Sequence, residues 1–142
     1  MSNKKQTSLI FAVAFVLIAL VIVLYPSHRS QDICDINREG GCTIKGITFS
    51  IDPRPVTAMR ENVFRARLED PSMVPEGTDL ALHLTMPGME MGINRMRLKK
   101  IGPGRYSGKG VIPRCPSGQK LWRAAILDIS ARELASFHFE VE

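Results

Sequence analysis

Aromatic residues are few, with one Trp, two Tyr and six Phe in 142 positions. Cysteine is scarcer, at three, and no Cys-x-x-Cys pair points to a thioredoxin-like redox motif. There is no Gly-rich phosphate-binding loop, no Gly-x-Ser-x-Gly elbow and no paired-carboxylate arrangement. Titratable groups are scattered, so the chain reads as non-catalytic rather than as an enzyme. After residue 26 no amphipathic helical stretch of convincing length occurs, which speaks against an α/β fold. Acidic side chains are missing from Gly92 to Leu127, a stretch that holds nine basic ones.

One long hydrophobic run is present. Leu9 to Tyr25 is seventeen apolar or aromatic residues without interruption, near the lower length limit for crossing a bilayer as a helix. Lys4 and Lys5 precede it and no basic cluster directly follows it, which by the positive-inside rule leaves residues 1–8 in the cytoplasm. The expectation is one transmembrane helix over 9–26 in the cell (inner) membrane, with everything after it extracytoplasmic, periplasmic in a bacterium. A cleaved signal peptide is the alternative. Its apolar core is normally shorter and ends in a small-x-small site, which Tyr25-Pro26-Ser27-His28-Arg29 does not supply.

The 116 residues after Pro26 suffice for one small domain. Residues 27–42 read as a polar tether containing Gly40-Gly41, and residues 43–142 as the domain. There the apolar period is close to two, the mark of half-buried strands. Ile47, Phe49 and Ile51 alternate with Thr48 and Ser50; Phe64, Ala66 and Leu68 with Arg65 and Arg67; Leu80, Leu82, Leu84 and Met86 with Ala81, His83 and Thr85. Met96 and Leu98, Tyr106 to Ile112, Trp122 to Ile126 and Phe137 to Val141 continue the series between Pro/Gly turns. About seven short strands are predicted, an all-β, immunoglobulin-like β-sandwich.

Met86-Pro-Gly-Met89-Glu-Met91-Gly, then Gly104-Arg-Tyr106-Ser-Gly108, then Pro116-Ser-Gly118 with Trp122 beyond, resembles the YtkA-like domain family. FixH-like proteins share the plan of one N-terminal span and a small exported sandwich. The resemblance covers roughly residues 45–142 and implies copper handling and assembly or support of a respiratory oxidase complex. Where such domains often carry a histidine after the Met-Gly pair, this chain has Ile93-Asn94. Where a methionine often stands shortly before the later glycine, it has Cys115, whose thiolate also suits a soft ion.

Met86, Met89 and Met91 fall within six residues around a Pro-Gly turn. Thioethers are neutral soft donors suited to Cu(I). Met89 and Met91 are the expected principal ligands, with Met86, His83 or Cys115 completing the set; Met86 also continues the inward leucines and fits the core. Cys34 and Cys42 are expected to pair across the intervening glycines, with a Cys42–Cys115 bridge as the competitor. Arg95, Arg97 and Lys99 share one strand face and form a basic patch for an acidic membrane partner or anionic lipid. Nucleic acid is not an expected partner, because stacking aromatics are lacking and Trp122 and Tyr106 read as core.

Overall fold

A computed structural model describes residues 34–142. The expected membrane span and residues 27–33 lie outside the described residues. Among the described residues, no helix is long and apolar enough to cross a membrane. The described residues form one compact unit with a hydrophobic core of its own.

The domain is all-β. Its strands are β1 (Cys42–Ile44), β2 (Ile47–Asp52), β3 (Glu61–Leu68), β4 (Leu80–Thr85), β5 (Arg95–Gly102), β6 (Arg105–Val111), β7 (Leu121–Leu127) and β8 (Glu133–Glu140), with a single 3-10 turn at Pro71–Met73. All pairings are antiparallel, in the order β1-β2-β3-β6-β5-β4-β7-β8. The alternation read in the sequence sets the faces: along β2 and β4 every second residue is buried. β1 is additional to the seven predicted strands. At three residues it is too short to display a period.

One strand makes the sheet fold over. The first half of β5 pairs with β4, Arg95 opposite His83 and Leu98 opposite Leu80. Its second half pairs with β6, Lys99 opposite Ser107. Gly108 lies where the partners change, and a Cβ there would stand 2.5 Å from the Arg97 carbonyl oxygen. That close approach needs a glycine. The two halves of the sheet then face each other across the core, nearly closing a barrel. Phe49 of β2 stacks on Phe137 of β8, ring centroids 5.1 Å apart, although the two strands lie toward opposite ends of the strand order. Trp122 and Tyr106 are buried beside them.

Packing begins before Thr43. Cys34 is bonded to Cys42 in a disulfide, and its N–H donates to the His138 carbonyl on β8. Ile36 is buried in the core, and the Asn37 side-chain oxygen accepts the Val56 N–H at 2.9 Å. Val56 in turn accepts the Glu142 N–H, and Ala58 donates to the Glu142 carbonyl. The entering chain and the β2–β3 connection therefore cover part of the free edge of β8, the usual liability of an open sheet.

Candidate functional site

Two turns at one end of the domain carry the site. β4 runs into Met86-Pro87-Gly88-Met89, where the Met89 N–H donates to the Met86 carbonyl at 3.2 Å. Proline at the second position and a positive φ of 78° at Gly88 fit a type II turn. Met86 thereby stays in the core, while Met89 is lifted out and is 37% exposed. The second turn is Cys115-Pro116-Ser117-Gly118, closed by the Gly118 N–H on the Cys115 carbonyl at 3.1 Å. The Gln119 side-chain amide donates to the Pro87 carbonyl at 3.3 Å and ties the turns together.

The geometry brings two sulfurs into contact. Cys115 Sγ lies 3.6 Å from Met89 Sδ. Ser117 Oγ is 3.0 Å from the thiol and 3.8 Å from the thioether. Cys115 is a free thiol, 5% exposed, and borders a cavity of about 270 Å³ with Gln119, Lys120, Trp122 and Val141. The Ser117 hydroxyl, helped by backbone N–H groups of Ser117, Gln119 and Gly118, holds its pKa below the ordinary thiol value against the opposing effect of burial. A thiolate here has donors waiting for it.

These donors pass a simple test for a soft cation. Two sulfurs bound to one ion at about 2.3 Å each stand no more than about 4.6 Å apart, and 3.6 Å satisfies this without rearrangement. Thiolate and thioether are the ligand types that select Cu(I). Among the described residues, no group of three or more His, Cys, Asp or Glu is placed to hold a metal ion.

The other residues named from the sequence are distributed differently. Met91 is half-buried and packs against the core. His83 sits on the outward face of β4, opposite Arg95 of β5 and Ala125 of β7. Burial, with the charges of Arg95 and Arg123, lowers its pKa, and its Nε2 is buried without a hydrogen-bond partner. Cys34 and Cys42 pair with each other, which excludes the Cys42–Cys115 bridge. Arg95, Arg97 and Lys99 are all exposed on one face of β5. Ser117 and Gln119, which shape the sulfur pair, went unnamed as site residues. The only signal for them was the Pro116-Ser-Gly118 turn itself.

No family model, no curated protein and no solved structure matches this chain.

Proposed function

We propose that this chain is a membrane-anchored, extracytoplasmic accessory protein whose immunoglobulin-like β-sandwich binds or passes Cu(I), in copper handling or respiratory oxidase assembly. The observation that carries the proposal is the 3.6 Å approach of Cys115 Sγ to Met89 Sδ. Cys115 serves as the anionic donor. Its lowered pKa reduces the proton competition that every thiolate ligand faces. Ser117 turns its hydroxyl toward the sulfur and compensates part of its negative charge. Met89 adds a neutral soft donor from an exposed turn, where an incoming ion can be met before it is held. The ion is the cargo, taken up and released by ligand exchange at the two sulfurs; no covalent bond of a substrate is made or broken.

Extracytoplasmic placement is supported by the Cys34–Cys42 disulfide, a bond that persists in oxidising compartments, and by the apolar run before the domain. Titration of the 33–142 fragment with Cu(I) against a chromogenic chelator tests the site. Wild-type protein should withdraw one equivalent from the chelator, and Cys115→Ser and Met89→Leu should each weaken this. Equal competition by the Cys115→Ser/Met89→Leu double variant would refute the site. Resistance of the full chain to alkaline extraction from membranes tests the anchor separately.

A further inference from the structure

The outward side of β5 has a composition that the metal site does not use. Arg95, Arg97 and Lys99 are exposed at alternate positions, so their side chains point the same way. At the two ends of this row stand Ile93, 86% exposed, and Ile101, 60% exposed. Ile129, 71% exposed, shares a surface groove with Arg95 and Arg97. Three of the large apolar side chains left in water thus surround one line of cations.

The neighbouring strands add charge of the same sign. Arg67 of β3 is directly opposite Arg105 of β6, a like-charged cross-strand pair that costs stability unless something anionic is near. The Arg105 side chain lies across Gly102, its guanidinium 2.9 Å from where a Cβ would be, at the end of the β5 row. The ion pairs among the described residues engage Arg54, Arg65, Lys109, Arg123 and Arg132, and none of the cations just named. Of the two acids bordering the groove, Asp128 is paired with Arg132 and holds the N–H groups of Ser130 and Arg132. Asp79 accepts the Lys100 N–H and forms no ion pair with the row, so three cations face one uncompensated acid there.

We propose that this face docks on anionic phospholipid headgroups, with Arg95, Arg97, Lys99 and Arg105 meeting the phosphates and Ile93, Ile101 and Ile129 entering the headgroup layer. A basic cluster in net excess and without ion pairs attracts an anionic leaflet over about one Debye length, ~8–10 Å. The choice of lipid over an acidic protein rests on the exposed isoleucines and on the anchor reading of residues 9–26. The chain from Pro26 to Cys34 spans at most about 28 Å, so an anchored domain has the bilayer within reach. The arrangement shares the anchor reading with the proposed function but is independent of the sulfur pair, so failure of the copper site leaves it untouched.

The test is sedimentation of the 33–142 fragment with vesicles of phosphatidylcholine alone or mixed with phosphatidylserine. The expected result is binding to the mixed vesicles only, reversed by raising salt. Arg95→Glu/Arg97→Glu/Lys99→Glu should lower partitioning at least about tenfold, while Cu(I) competition is unchanged. Should that variant misfold by near-ultraviolet circular dichroism, the Arg95→Gln/Arg97→Gln/Lys99→Gln variant carries the test. Ile93→Ser/Ile101→Ser should weaken binding and keep its salt dependence. Equal binding to both vesicle types, or binding indifferent to the cation substitutions, overturns the proposal. So does retention on polyglutamate without vesicle binding, which would assign the face to an acidic protein.

Discussion

Cys115 Sγ and Met89 Sδ touch at 3.6 Å although 26 positions separate them in the chain. Each sits on a proline-containing turn whose backbone hydrogen bond is made locally. The pair is therefore set by two independently rigid turns joined through Gln119 and Pro87, rather than by a long flexible loop.

The thiol's acidity follows from that arrangement. Ser117 is the leading cause of the lowered Cys115 pKa. We expect ultraviolet thiolate absorbance of the fragment to appear at lower pH than for an ordinary cysteine. Ser117→Ala should move the transition upward, toward the usual thiol range near 8.5. A transition unmoved by that substitution would mean that the hydroxyl does not stabilise the thiolate.

Stability should fall on mild acidification because of two histidines. The pKa of His83 is lowered by burial, then by Arg95 and Arg123. That of His138 is lowered by burial, then by Arg123, with Glu133 opposing. The unfolded chain, with histidine pKa near 6.5, then binds more protons than the folded one between that value and the lower folded values. Stability is consequently complete above about pH 7 and declines as pH drops through about 6.5, levelling off once both states are protonated. Urea midpoints at about pH 7.5 and about pH 5.5 should differ in the wild type and converge in His83→Gln/His138→Gln.

The disulfide should matter more to stability than its peripheral position implies. Cys34 and Cys42 are eight positions apart, and closing a loop of that size constrains the unfolded chain by about 2–3 kcal/mol. Cys34→Ser/Cys42→Ser should lower the unfolding free energy by about that amount, read as a lower urea midpoint with a slope that stays or rises slightly as the unfolded chain expands. Its loss also frees the segment carrying Ile36, buried in the core, so a larger effect would report detachment of the whole segment from β8.

Half-burial is what made most strands legible. β2, β3 and β4 alternate inward and outward residues because one face is wet. In β7 the rule fails: Ala124, Ala125, Ile126 and Leu127 are all buried, and the register with β8 shifts between Ile126 and Leu127, so the start of β8 carried no clear period. Ile36 and the chain around Cys34 were hidden by polar neighbours, since a disulfide and one isoleucine hold that segment where an apolar run otherwise would. Met89 and Cys115 could be named from donor chemistry, with Cys115 as one of three candidates to complete a set led by Met89 and Met91. That Cys115 is the one in contact with Met89 depends on the relative placement of two distant turns, which local pattern does not carry.

The change of partner along β5 was equally unreadable, yet it gives a sharp expectation. Nothing in Arg95–Gly102 marks the point at which pairing passes from β4 to β6; the mark is on β6, at Gly108. A Cβ there meets the Arg97 carbonyl oxygen at 2.5 Å and Leu98 Cδ2 at 2.9 Å, and the first of these is backbone that cannot rotate away. Gly108→Ala should therefore cost about 1–3 kcal/mol, more than a strand alanine normally does. Because β5 carries the exposed cations, displacement of its middle should also re-aim Arg97 and Lys99 and lower vesicle binding. Wild-type stability in Gly108→Ala would show that the strand changes partners without needing the close approach.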